Sequence, residues 1–175
     1  MAPGELRLSA PYDDASARVS FTRSFGTFMI QEKTVDILLV EDDAADAALT
    51  LRALRQRHAD DRVVHVVDGD EALEFIFATS LYGDWEGNIP KLILLDLKLH
   101  KVSGLEVLRE LKSQERTKVI PVVVLTSSRE EISNVESYKL GVNSYVIKPM
   151  DSKTFAQVIG DIAHYWLSVN QPPYA

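Results

Sequence analysis

Five short apolar runs constrain this chain more than any other feature. They are Ile37-Leu38-Leu39-Val40, Val63-Val64-His65-Val66-Val67, Leu92-Ile93-Leu94-Leu95, Val122-Val123-Val124-Leu125 and Ser144-Tyr145-Val146-Ile147. Each has the length of a strand, and most are apolar at successive positions rather than at alternate ones. Such runs suit strands covered on both faces. Between them the apolar spacing becomes helical. Ala44–Arg57 places Ala48, Leu51 and Leu54 on one face, and Glu71–Thr79 carries Leu73, Phe75 and Ile76. Leu105–Ser113 carries Leu105, Leu108 and Leu111, and Glu131–Leu140 is stopped by Gly141. Asp151–Val169 reads as one last helix with Asp151 or Ser152 at its cap, burying Phe155, Val158, Ile159 and Ile162. Ser80–Lys91, with Gly83, Gly87 and Pro90, reads as a loop. Five strands alternating with five helices predict an α/β domain with a doubly wound parallel sheet.

The residues that close the runs carry the chemistry. Glu41 and Asp42 follow the first strand, Asp96 the third, Thr126 the fourth and Lys148 the fifth. In a parallel sheet all of these ends lie on one edge. Taken singly, each residue has an ordinary explanation: a helix-capping acid, a turn hydroxyl, a solvated lysine. Together they form a set. Three acids brought together repel, so their pKa values rise or a cation neutralises them. Oxygen ligands without His or Cys select Mg2+ or Mn2+ over zinc. Mg2+ takes one or two carboxylates and leaves another to react; Asp96 is the candidate nucleophile, able to become an aspartyl phosphate. Lys148 and the Thr126 hydroxyl would then contact the phosphoryl oxygens.

Composition excludes several classes. The formal net charge of −7 argues against non-specific nucleic-acid binding. No cysteine is present, so thiol catalysis, thiolate metal sites and disulfides are excluded. No apolar stretch approaches the roughly 18 residues of a membrane span. The N-terminus lacks the basic start and apolar core of a signal peptide, which predicts a cytoplasmic location. Residues 1–34 lack periodicity, and their four acids balance four bases. They are expected to be an N-terminal extension, either a tail or a docking arm carrying Val19, Phe21, Phe25 and Phe28. Met29 is an alternative start of translation. Residues 35–169 form the predicted domain, and 170–175 a C-terminal tail.

The segments Ile37-Leu-Leu-Val-Glu-Asp-Asp, Leu92-Ile-Leu-Leu-Asp-Leu-Lys-Leu, Pro121-Val-Val-Val-Leu-Thr-Ser-Ser and Tyr145-Val-Ile-Lys-Pro149 closely resemble a response-regulator receiver domain. The resemblance covers residue 35 to about residue 170. It implies a flavodoxin-like (βα)5 fold with strand order 2-1-3-4-5. It implies that Asp96 is the phosphoacceptor and that Glu41, Asp42, Asp96 and the main-chain carbonyl of Lys98 hold Mg2+ or Mn2+. It further implies a cis Lys148–Pro149 peptide and a switch in which Thr126 moves as Tyr145 turns inward.

Ala163-His-Tyr-Trp-Leu, Pro172-Pro173, the Ser80–Lys91 loop and Asp43-Ala-Ala-Asp46 are similar to stand-alone receivers that partner phytochrome histidine kinases. That similarity implies a phosphorelay from a sensor kinase of the phytochrome type, with no nucleic-acid or membrane partner. The domain would catalyse only its own Mg2+-dependent phosphorylation and slow dephosphorylation, and its output would be protein binding. It also implies a homodimer through the fourth-helix, fifth-strand and fifth-helix face. Tyr165, Trp166 and Val169 extend past the core face of the last helix and are the candidate interface, unless Trp166 folds back onto the domain. A receiver-like scaffold that works without phosphorylation is the alternative function. Two departures from the family pattern stand in the loop after Asp96. His100 replaces the usual proline, which predicts a looser loop. Lys98 replaces a neutral polar residue, and its ammonium is expected to alter phosphoryl hydrolysis by blocking water or competing with Mg2+.

Overall fold

The computed structural model describes residues 35–57, 62–81, 89–127 and 135–171, with the backbone alone for 78–81, 135 and 136. The expected N-terminal extension, the start of the predicted fourth helix and most of the Ser80–Lys91 loop lie outside the described residues, as do Pro172 and Pro173. In chain order the elements are β1 (Ile37–Val40), α1 (Ala44–Gln56), β2 (Val63–Val66), α2 (Gly69–Leu81), β3 (Leu92–Asp96), α3 (Gly104–Ser113), β4 (Val122–Thr126), α4 (Val135–Lys139), β5 (Ser144–Ile147) and α5 (Ser152–His164). The strands form one parallel sheet in the order β2-β1-β3-β4-β5. This is the expected (βα)5 order.

Alternation within the apolar runs divides the core between the two faces of the sheet. Ile37, Leu39, Leu92, Leu94, Val123 and Leu125 face α1 and α5, where they meet Ala53, Leu54, Phe155 and Ile159. Leu38, Val40, Ile93, Leu95 and Val122 face the other way, onto Ala72 and Ile76 of α2 and Val107, Leu108 and Leu111 of α3. With helices on both faces the three central strands β1, β3 and β4 are buried at every position, which is why their runs do not alternate with polar residues, while the edge strands β2 and β5 are partly exposed.

Capping explains most helix boundaries. The Asp43 carboxylate accepts from the amides of Ala45 and Asp46, both at 2.9 Å, and starts α1. Ser103 and Glu106 form a reciprocal capping box at the start of α3. Asp151 rather than Ser152 caps α5, accepting from the Thr154 amide at 2.8 Å. Asp68 accepts from the Glu71 amide, and α2 therefore begins two residues before the predicted Glu71. Gly141, at φ +88°, ends α4 as its position implies.

Three local expectations are corrected. Ala48 is exposed; the buried residues of α1 are Ala47, Thr50, Ala53 and Leu54, with Leu51 partly buried against the core, so the predicted face holds at Leu51 and Leu54 and fails at Ala48. The last helix is not continuously α-helical, because Tyr165–Val169 winds as a π-helix after His164. The Lys148–Pro149 peptide is trans, since none of the described peptide bonds is cis. Trans is the lower-energy isomer even before proline, by about 0.5–1 kcal/mol. The Lys148 amide donates to the Thr126 carbonyl at 2.6 Å.

Candidate functional site

β1 and β3 are neighbours, yet the chain leaves β1 toward β2 and returns to β3 on the other side. The crevice at such a reversal is where parallel α/β sheets place their ligands. Glu41 and Asp42 leave β1 at this point, and Asp96 ends β3 beside them. One ligand atom from each of the three carboxylates lies within 4.8 Å of the others; among the described residues this is the one such His, Cys, Asp or Glu cluster.

Glu41 is 1% exposed. Its Oε2 accepts from the Lys148 ammonium at 2.6 Å and its Oε1 from the Asp43 amide at 3.3 Å. Asp96 accepts at Oδ2 from the Lys148 ammonium, at 2.7 Å, and at Oδ1 from the Lys98 amide, at 2.9 Å. Lys148 also donates to Asp46 Oδ2 at 2.7 Å, so one ammonium is shared among three carboxylates. Charge balance sets the two pKa directions. Burial raises Glu41 to about 7, and its part-share in Lys148 only partly opposes that. Burial alone would lower Lys148, but hydrogen bonds to Asp46, Asp96 and Glu41 outweigh it and hold the ammonium above its ordinary value.

Asp42 belongs to the same cluster, but its partner comes from the loop after β3. Its Oδ2 accepts from the His100 amide at 3.2 Å and also contacts His100 Nδ1. The neighbouring Lys101 ammonium reaches Asp68 at the start of α2. Lys101 itself sits at φ +64°. The loop is closed from below by Gly104, where an added Cβ would lie 2.1 Å from the Asp96 carbonyl oxygen. The replacement of proline by His100 changes which contacts the loop can make. It gives the loop an amide donor and an imidazole that proline lacks, and both fall on Asp42.

Thr126 is fully buried at the end of β4 and borders the cluster through the Lys148 amide on its carbonyl. Tyr145 on β5 is half-buried, with its ring stacked on Tyr138 of α4 at 6.2 Å between centroids. Lys98 holds Asp96 through its amide while its side chain faces solvent. At the far end of α5, Tyr165 and Val169 are half-exposed, whereas Trp166 packs with Leu167 against the α1/α5 side of the core. Trp166 folds back onto the domain while meeting Tyr165 edge-on. The sequence reading missed Asp46 as a site residue and His100 and Lys101 as loop anchors. Asp46 lies in the first turn of α1, where an acid reads as complementing the helix dipole. Only the folded loop reveals the other two.

The donor set fits a divalent cation of the magnesium or manganese kind. Its ligands are hard carboxylate oxygens; Glu41, Asp46 and Asp96 share the one Lys148 ammonium, and Asp42 adds a fourth carboxylate beside them, so negative charge is in excess. Comparison with known proteins agrees. The family model for the response regulator receiver domain matches residues 37–160. The chain is 39% identical over 140 residues to response regulator Rcp1 of Synechocystis, covering 79% of this chain and 93% of that protein. It is 37% identical over 155 residues to a probable methanogenesis regulatory protein, FilR2, of Methanothrix harundinacea, covering 89% of this chain and 98% of that protein. Among solved structures it resembles the phosphorylated cyanobacterial phytochrome response regulator RcpA, with a TM-score of 0.71 and 40% identity over 80% of this chain and 99% of that one. It also resembles the Mn2+-bound form of Rcp1, with a TM-score of 0.68 and 39% identity over 80% and 99% of the two chains. Fold, strand order, acidic cluster and sequence likeness together make this chain a member of the response-regulator receiver family.

Proposed function

We propose that the protein accepts a phosphoryl group on Asp96 from a phosphohistidine of a sensor histidine kinase of the phytochrome type, in a two-component relay within the cytoplasm. The observation that carries this reading is the placement of Asp96 at the end of the central β3 strand. There its carboxylate is held by Lys148 on one side and lies beside Glu41 and Asp42 on the other.

In the transfer an Asp96 carboxylate oxygen attacks phosphorus, an acyl P–O bond forms, and the P–N bond to the kinase imidazole breaks with its electron pair returning to the ring. The Lys98 amide orients the carboxylate. Lys148, already anchored by Asp46, turns its Asp96 hydrogen bond to a phosphoryl oxygen, and the Thr126 hydroxyl takes another. A divalent cation held by Glu41, Asp42, Asp96 and the Lys98 carbonyl would neutralise the charge that gathers on the phosphoryl oxygens. Movement of Thr126 would be read out by Tyr145, whose ring and its Tyr138 partner form part of the α4–β5–α5 face. The half-exposed Tyr165 and Val169 support a homodimer through the end of this face. Self-phosphorylation and slow dephosphorylation are the only chemistry assigned, and the output is binding. On this reading 1–34 is an extension of the receiver and 170–175 a tail.

The test is intact-mass analysis after incubation with acetyl phosphate and Mg2+. The gain of one phosphoryl group is expected in the parent, with none in Asp96→Asn or when Mg2+ is chelated. Phosphotransfer from autophosphorylated phytochrome kinases should follow the same pattern. A parent that gains nothing, while binding its partners equally with and without phosphodonor, would replace this reading with that of a scaffold.

A further inference from the structure

The two consecutive residues His100 and Lys101 tie the loop after Asp96 to the loops that follow β1 and β2. Lys101 reaches Asp68, which caps α2. His100 reaches Asp42 twice, through its amide and through Nδ1. Both donors fall on the same atom, Oδ2, so Oδ1 keeps its lone pairs for another partner. With a carboxylate as acceptor, the ring nitrogen must carry its hydrogen on Nδ1.

The backbone on either side of Asp42 is already fixed. Glu41 is buried and bonded to Lys148, and Asp43 caps α1 with two amides at 2.9 Å. What remains free in Asp42 is the rotation of its own side chain, and His100 removes that freedom. The loop that carries His100 is also packed against the end of β3 by a separate contact, the close approach of Gly104 to the Asp96 carbonyl. The clamp therefore holds Asp42 against the same segment that carries Asp96.

From this geometry we infer that His100 is a positioning residue for the divalent cation: its two hydrogen bonds hold the Asp42 carboxylate turned toward Glu41 and Asp96, so that the cation meets a preset ligand. The inference rests on the metal site proposed above. Hydrogen bonds from outside the ligand set commonly change metal affinity by about 10–100-fold. His100 is 86% exposed in its side chain, so its replacement removes no core packing.

The experiment is Mn2+ titration of the full chain by isothermal calorimetry, with phosphodonor absent. His100→Ala keeps the amide and removes the imidazole; its Kd for Mn2+ is expected to rise about tenfold. His100→Pro removes both donors and should rise further. His100→Asn returns an N–H to the position of Nδ1 and should restore binding close to that of the parent. Unchanged or tighter binding in His100→Ala, with Asp42→Asn weakened, overturns the role of His100 alone. A parent that binds no Mn2+, or an Asp42→Asn chain that binds as tightly as the parent, overturns the metal site itself and the positioning role with it.

Discussion

Replacing Glu41 with glutamine isolates the cost of a carboxylate buried in a site with too few cations. Glu41 is almost fully buried, and burial raises it from 4.5 to about 7 despite the Lys148 ammonium at 2.6 Å. A raised folded-state pKa means that the folded chain binds the proton over a range where the unfolded chain has lost it. The stabilising contribution is complete below about 4.5 and disappears as the pH rises through about 7. At about 1.4 kcal/mol per pKa unit the full swing has an upper bound of about 3 kcal/mol. Because Glu41 shares its ammonium with Asp46 and Asp96, about 2 kcal/mol is the expected size. Glu41→Gln lacks this dependence while keeping the shape of the side chain. Lys148 keeps Asp46 and Asp96 in the variant. Urea unfolding of both chains in EDTA, at intervals from pH 4.5 to 8, is the assay. The stability of the variant relative to the parent should climb across this window and level off above pH 7. With slopes near 2 kcal/mol/M the relative midpoint would move by about 1 M. A difference that is flat with pH, or one that falls, would show that the ion pair with Lys148 outweighs burial and that the excess-charge account of the site is wrong.

Three further outcomes test other parts of the structure. Gly104→Ala forces a Cβ against the Asp96 carbonyl and Leu97, which should destabilise the fold by about 1–3 kcal/mol in thermal melts and displace the loop after Asp96; an unchanged melt would refute that close approach. Lys112 donates to the carbonyls of Lys118 and Ile120 and to the side chain of Asn143, and burial lowers it to about 8. Lys112→Met removes the ammonium from the two carbonyls, while Asn143 keeps the Val122 amide, and a loss of about 1–3 kcal/mol in urea unfolding at pH 7 is expected. Lys98→Asn removes a long cationic side chain from the loop after Asp96 and should shorten the phosphoryl half-life measured by loss of the mass gain; equal half-lives would end any role for the Lys98 ammonium in hydrolysis.

Much of the site was legible because strand ends are legible. Leu92–Leu95 followed by Asp96, and Ile37–Val40 followed by Glu41 and Asp42, announce both a buried strand and the residue that leaves it. What local spacing did not reveal is which partners those residues find. Asp46 looked like a first-turn helix acid, yet it anchors Lys148. His100 looked like the loss of a stiffening proline, yet it clamps Asp42. On α1 Leu51 and Leu54 were placed rightly and Ala48 wrongly, because alanines at 47, 48 and 53 give a weak apolar signal and the packing of α5 and the sheet decides which of them is covered. Trp166 had two readings at the sequence level, and contact with the α1/α5 side of the core selects the folded-back one.

The sequence by itself determined the architecture and the edge at which chemistry occurs. Continuous apolar runs must be covered on both faces, helices between them make the strands parallel, and parallel strands deliver their final residues to one side. The tertiary structure decided how the charges on that side are shared. The contact between Asp42 and His100 spans 58 positions and that between Lys148 and Asp46 spans 102. Such pairs depend on where two loops cross and how far a side chain reaches. No periodicity within either segment carries that information.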